Sequence, residues 1–495
     1  MSPHGSYKHL KLLKKDFSQK SMTEPAASTP STTRKGFRRI ARCAIVALLS
    51  TAIITASGPA YAAGLIRDAE IENLLREYSR PIFRVAGLSQ QNINIHLVGL
   101  QSFNAFVVDG RNMFFHVGTL MKSKTPNQVI GVIAHEAGHI AGGHLSRLRQ
   151  AMSHARSTSM MLRVLILAAT AAGAVAGADV GAAGAGVLLG GEGMAQRYVL
   201  SYRRAEEASA DQAGISYLNA TRQSAQGMLD TFAYLADQGL GSLKYADPYV
   251  QSHPLPRQRI ANLRDLAKRS PYFGKRDSPA LQARHDMMRA KLSGFLDNPQ
   301  TVLNRYPNSD QSLPARYART IASYRRSGLV AFLPQIDALI REQPNNPYFY
   351  ELKGQFLFKS GNPDSIRAAV RPLRRALKLA PHEALIRILL AQALLAGSQN
   401  GGQINTAILD EAISNLRKAL VKEKCSAIGY RRLATAYGLK KNIPQARLAS
   451  ANAYQYEGKN DLAKRQAKEA KKAFKPGSTD WLKADDIVNL RPKPC

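Results

Sequence analysis

The stretch Val132-Ile133-Ala134-His135-Glu136-Ala137-Gly138-His139-Ile140 decides how the rest of the chain is read. Residues four apart share one face of an α-helix, so His135 and His139 can offer two imidazoles to one metal ion while Glu136 stands beside them as a general base. Ahead of it, Thr125-Pro126-Asn127-Gln128 reads as a helix start. Thr125 is the cap, Pro126 takes the first helical position, and Gln128 closes a capping box. A two-histidine site needs a third protein ligand and a fourth position left to water.

Glu207 supplies that ligand, on a helix expected around Tyr202 to Tyr217. Asp211, four residues on, shares its face and can accept a hydrogen bond from a ligand histidine. Glu206 is the alternative ligand, weakened because position 210 is Ala and offers no partner carboxylate. A three-histidine pattern would need its last His at position 145, which is Leu145; Gly142 fits that pattern, but His144 falls one residue early and is assigned a structural or surface role. His253, in His253-Pro254-Leu255-Pro256, leaves three readings open: oxyanion stabiliser, fourth zinc ligand that holds the site latent, or turn histidine without metal contact. Arg259 is a weaker candidate for a nearby polar role.

Around this centre, Ile71, Leu74, Leu75 and Tyr78 mark the apolar face of an opening helix between Arg67 and Val85. Ile93 to Val98, Ala105 to Val108 and Met113 to Val117 read as a small antiparallel sheet, with Asp109-Gly110 as a hairpin turn. Further helices are expected over Gln223 to Gly239 and from Arg257. Residues 158-194 form a Gly/Ala/Val/Leu tract that suits a membrane-contact or lid hairpin as well as a loop packed on the protein itself.

Beyond residue 310 the pattern becomes repetitive. Gly354, Leu357, Ala369, Leu373, Ala376 and Pro381 define one unit; Ala391, Leu394, Ala412, Leu416 and Ala419 a second; Leu433, Ala434, Tyr437, Ala446, Ser450 and Ala453 a third. The spacing is similar to tetratricopeptide repeats, with 397-404 as an insertion and degenerate units on either side. Such arrays stack into a curved solenoid whose groove takes extended segments of other proteins.

The composition of the 495 residues, 45% hydrophobic and 21% charged, suits a globular chain of two or three domains. Three cysteines, Cys43, Cys425 and Cys495, exclude a disulfide scaffold and a multi-cysteine metal cluster. Basic residues run from Arg34 to Arg42, an apolar run from Cys43 to Ala56, and Ala60-Tyr61-Ala62 follows, so 1-62 reads as a signal peptide and export to the periplasm is expected. An uncleaved anchor is the alternative. The remaining chain has 59 basic against 33 acidic residues, a net charge of +26. In an exported protein that charge makes nucleic acid a poor partner and favours protein clients or peripheral contact with an anionic membrane. Cys425 and Cys495 could pair or remain free thiols.

The opening helix, Asn104-Ala105-Phe106, the His135 motif, the Glu207 to Asp211 motif and His253 to Pro256 together resemble the HExxH zinc peptidases of the prenyl-protease and heat-shock membrane-protease family. The resemblance implies a gluzincin-type α+β, mostly helical metalloprotease domain over 63-270, linker helices over 271-310, an all-α tetratricopeptide solenoid over 311-475 and a tail over 476-495. It implies one Zn2+ per chain held by His135, His139 and Glu207, with Glu136 and His253 catalytic, Asp211 behind the ligands, and Asn104, Ala105 and Phe106 aligning an extended substrate. It further implies a periplasmic endopeptidase acting on stalled or misassembled outer-membrane β-barrel proteins. Gln128 stands where an acidic residue is commoner and Ala137 where a larger apolar one is. The competing classes are an assembly chaperone or adaptor with a largely latent zinc site, and an integral membrane protease spanning the bilayer through 158-194.

Overall fold

The computed structural model describes residues 64–154, 157, 203–239, 249, 253, 257–398 and 405–489. The expected signal peptide, the 158-194 tract, Pro254 to Pro256 and residues 399–404 of the expected insertion lie outside them. Helix α1 (Ala69–Val85) begins where the Asp68 carboxylate accepts the Ile71 amide. Its face of Ile71, Leu74, Leu75, Tyr78 and Ile82 is buried, each large apolar side chain contributing about 1.5–3 kcal/mol relative to exposure. That face packs on α3 (Pro126–Ala141), which opens with the expected Thr125–Gln128 capping box.

Strands β1 (Leu65–Ile66), β2 (Asn94–Val98), β3 (Ala105–Val108) and β4 (Asn112–His116) form one sheet in the order β1-β2-β4-β3. The sheet is mixed, which corrects the antiparallel expectation: β2 and β4 run parallel. The cause is connectivity. Asp109 (φ 54°) and Gly110 (φ 72°) take the left-handed conformations of a tight hairpin turn, so β3 pairs antiparallel with β4 and occupies the edge, and β4 returns beside β2 in the same direction. Two-residue β1 was too short to read. Gly118 sits in the short helix α2 (Val117–Lys122), where a Cβ would stand 2.1 Å from the Gln101 carbonyl oxygen. Only glycine allows the 99–102 segment to cross there.

Helix α4 spans residues 144–154 and α5 residues 203–220. Helices α6 (Gln226–Gly239) and α7 (Arg257–Lys268) complete the layer around α3. The Asn127 side chain fastens the start of α3 to that of α6, donating to Ser224 O at 2.8 Å and accepting from Gly227 N at 2.7 Å.

Helix α8 (Pro279–Leu296) falls in the segment expected to link domains, yet Met288 and Leu292 belong to the peptidase-side core. His285 is wholly buried there, and burial lowers its pKa to about 4, so the ring is neutral. Its Nε2–H therefore donates to Ser123 O at 2.9 Å, and Nδ1 accepts the Tyr78 hydroxyl at 3.1 Å.

After α9 (Pro299–Arg305), α10 (Leu313–Glu342) is two helices broken at Gly328, whose φ of 70° no helix accommodates. Helix pairs follow: α11 (Pro347–Lys359) with α12 (Pro363–Leu379), α13 (Ala384–Gly397) with α14 (Thr406–Lys422), α15 (Ala427–Leu439) with α16 (Ile443–Tyr456), and α17 (Asn460–Ala473) with α18 (Thr479–Asn489). The small residues picked out by the repeat pattern lie where helices touch: a Cβ on Gly354 would stand 2.4 Å from Leu373, and Ala369, Ala376, Ala391, Ala412 and Ala419 are buried. The segment 476-495, expected as a tail, contains α18, which buries Ala484 and Ile487 against Ala463, Ala467 and Ala470 of α17. Cys425 is disulfide-bonded. No helix among the described residues is long and apolar enough to cross a membrane.

Repeats and peptidase core meet at the start of α1. Ala69 packs with Ala376 and Ile386, Asn73 donates to Tyr348 at 3.0 Å, and Arg67 bridges Glu72 and Glu423. Beneath them Lys291 is buried, 2.8 Å from Asp68 and 3.0 Å from Glu70. Glu351 lies in the same ion network with Oε2 unpaired, and burial pushes its pKa up to about 8 despite Lys291. The folded form thus holds a proton that the unfolded chain releases near the ordinary carboxylate pKa of 4.5. The contribution of Glu351 to stability is greatest below that value and is lost as pH rises to 8. Thermal melts of Glu351→Gln between pH 5 and 9 are expected to show a flatter decline than the parent protein.

Candidate active site

Helices α3 and α5 cross at a distance that excludes side chains. A Cβ on Gly138 would stand 2.9 Å from the Ala210 carbonyl oxygen, and one on Gly214 3.3 Å from the His135 amide nitrogen. The contact puts the carboxylates of α5 directly over the histidines of α3.

His135, His139, Glu207 and His253 converge, each offering one donor atom, all within 4.8 Å of one another. His135 Nε2 and His139 Nε2 are 3.1 Å apart, and Glu207 lies 3.5 Å from the first and 3.4 Å from the second. His253 Nδ1 stands 3.0 Å from both Glu207 oxygens and 3.4 Å from His135 Nε2. Three imidazole nitrogens and a carboxylate facing one another suit a cation such as zinc.

The electrostatics agree. Burial, reinforced by the His135 charge, holds His139 well below the usual imidazole pKa, so it is a neutral donor. Burial works against protonation of His135 as well, but hydrogen bonds to Asp211 and Glu207 outweigh it and raise its pKa to about 9 in the absence of a cation. Burial opposes ionisation of Glu207, yet His253 and His135 hold it far below the carboxylate range. Glu136 is 1% exposed, and desolvation raises its pKa against the pull of His253 and His135. A basic carboxylate is what a general base requires.

Asp211 Oδ1 lies 3.0 Å from His135 Nδ1, on the ring side away from the cluster. Its other contacts go to Arg259, through Nε at 2.6 Å and Nη2 at 2.8 Å, while Arg259 Nη1 is 3.0 Å from Glu207. Arg259, a weak sequence candidate, is thus a clamp across both carboxylates of α5. Glu206 points away from the cluster, to His144 at 2.8 Å and Arg147 at 3.0 Å. His144 is buried and its Nδ1 lies 2.9 Å from His139 Nδ1.

Tyr249 was missed by sequence reasoning, since a lone aromatic between elements carries no periodic signal. It is fully buried, stacks on His253 with centroids 4.5 Å apart, and its hydroxyl interacts with the Glu136 carboxylate. Phe103 meets it edge-on at 5.7 Å and so ties the approach to β3 to the site.

Strand β3 is the sheet edge, with no strand beyond it among the described residues. His116 N donates to Asn104 O at 2.9 Å, so by antiparallel alternation Asn104 and Phe106 bond to β4, while the backbone groups of Ala105 and Val107 face outward. Ala105 is nonetheless wholly buried, and Val107 is half-buried. Phe106 stacks on Phe114, centroids 5.2 Å apart.

Comparison with known proteins fits this geometry. Residues 66–267 match the model of peptidase family M48. The chain is 24% identical over 347 residues to the beta-barrel assembly-enhancing protease of Yersinia pestis, covering 69% of each. It is 23% identical over 432 residues to the protein of that name in Escherichia coli K12, covering 86% of this chain and 84% of the relative. The protein is a metalloprotease.

Two substitutions probe the scaffold of the site. Arg259→Met is expected to cost about 3–5 kcal/mol in denaturant unfolding, because it strands two buried carboxylates. Gly138→Ala is expected to cost about 1–3 kcal/mol by forcing α5 away from α3, read as a lower melting temperature.

Proposed function

We propose that this metalloprotease is a zinc-dependent endopeptidase of the bacterial periplasm that hydrolyses misassembled or stalled outer-membrane β-barrel proteins recruited by its repeats. The observation that carries the reading is the convergence of His135, His139 and Glu207 beside the buried, basic Glu136. The client class rests on the name shared by the relatives. Export rests on the basic, apolar and Ala60-Tyr61-Ala62 segments, and the disulfide at Cys425 suits an oxidising compartment. Peripheral contact with a membrane would suit the +26 charge.

His135, His139 and Glu207 would hold one zinc ion, whose chemistry is to polarise the scissile carbonyl and make water acidic enough to attack near neutral pH. Glu136 takes the proton from that water and passes it to the leaving amine. Asp211 fixes His135 with its proton on Nδ1 and its lone pair on Nε2, while Arg259 holds Asp211 and Glu207 in place. An extended client segment would align along the edge strand at Asn104, Ala105 and Phe106. The peptidase domain would span 63-270 and the recruiting repeats 311-475.

A largely latent site in a chaperone or assembly adaptor is the second reading, and His253 favours it. Its Nδ1 stands among the donors, and its Nε2 is 3.6 Å from Glu136, where substrate would otherwise come. His253→Ala is expected to raise proteolysis of an unfolded outer-membrane barrel protein if the ring latches the site and to lower it if the ring serves the oxyanion. Unchanged rates would remove both roles. For the main reading, the purified protein and Glu136→Gln are each expected to hold about one zinc, with cleavage only by the parent. Absence of zinc from both would sink the two-histidine, one-glutamate assignment.

A further inference from the structure

Gly142 follows α3 at φ −70° and ψ −14°, a right-handed conformation that any residue can take, so its backbone does not call for glycine. Its surroundings do. A Cβ there would stand 2.1 Å from Nε2 and 2.5 Å from Cδ2 of His144. The missing side chain is the seat of the His144 ring, which is 4% exposed.

The seated ring has two polar contacts. Nδ1 lies 2.9 Å from His139 Nδ1, and Nε2 lies 2.8 Å from Glu206 Oε2, itself held by Arg147. His139 turns Nε2 towards His135 and Glu207. A histidine that uses Nε2 as a metal donor carries its proton on Nδ1, so His139 Nδ1–H donates to His144 Nδ1. His144 must then carry its own proton on Nε2, the nitrogen beside the Glu206 carboxylate. The His139 contact thus fixes the His144 tautomer, and the Glu206 carboxylate stands 2.8 Å from the nitrogen that carries the proton.

We propose that Gly142, His144 and Glu206 form a positioning relay that orients His139 for metal binding, the counterpart of the Asp211–Arg259 arrangement behind His135. It rests on the assignment of His139 as a ligand under Proposed function. Glu206, which might have been taken as a ligand, serves that ligand from one ring away. Neither His144 nor Glu206 meets substrate; they act through His139.

The test is zinc affinity, measured by equilibrating the full-length protein and its variants with graded free zinc set by a chelator and reading bound zinc. His144→Ala and Gly142→Ala are expected to weaken zinc binding about 10- to 100-fold, the usual range for groups behind a ligand. His144→Gln, whose amide oxygen can still accept from His139 Nδ1–H, is expected to recover part of the loss, and Glu206→Gln to lose less than His144→Ala. Melting temperatures of the metal-free forms separate positioning from packing: Glu206→Gln should melt like the parent without zinc and below it with zinc. Parent-like zinc affinity in both His144→Ala and Glu206→Gln would overturn the relay while leaving the metal site intact. A parent protein that binds no zinc would instead overturn the ligand assignment itself.

Discussion

Where α3 meets α5, Gly138 lies against Ala210 and Gly214 against the His135 backbone, and the site follows from that contact. Helices with ordinary side chains at their crossing pack 8–10 Å apart. Removing Cβ atoms at the crossing lets the imidazoles of one helix and the carboxylates of the other share a pocket a few ångströms wide. That proximity brings four acidic groups, Glu136, Glu206, Glu207 and Asp211, close to buried histidines, and the fold answers each with a partner. Arg259 neutralises Asp211 and Glu207, Arg147 and His144 take Glu206, and Tyr249 with His253 faces Glu136.

The buried charges therefore serve arrangement more than stability. Burying ion pairs recovers little free energy compared with apolar packing of the same volume, whereas removing one partner is expensive. A site built this way tolerates few single substitutions. The second charged knot, Lys291 with Asp68, Glu70 and Glu351, follows the same rule at the junction between peptidase and repeats.

The helix of His135 and His139 was legible because its requirements are local. His135, Glu136, His139 and the Thr125–Gln128 box depend only on helical period and capping, and Glu207 with Asp211 depends on the same period one helix later. The repeats were legible from their small residues, since Gly354 and the buried alanines sit where helices cannot otherwise approach. What escaped was long-range. The parallel pairing of β2 with β4 depends on which strand takes the edge, which alternation does not encode. Tyr249 and the clamp role of Arg259 depend on chain crossings far from the motif. His144 was set aside because it missed the register of a ligand, yet that register places its ring against the far nitrogen of His139. Gly142 fitted a three-histidine motif that the chain does not complete, and the structure shows it making room for the His144 ring.

The junction at α1 bears on the order in which the chain can acquire its structure. Asn73 finds Tyr348 275 positions later, and Arg67 finds Glu423 356 positions later. A polypeptide emerging from its N-terminus presents α1 first but lacks the surfaces of α11, α12 and α13 that cover its beginning until most of the chain has followed. Contacts of such sequence separation form late and slowly. The helix that opens the peptidase is thus among the last to be enclosed, and a protease whose first element must wait for its C-terminal repeats is completed only when both are present.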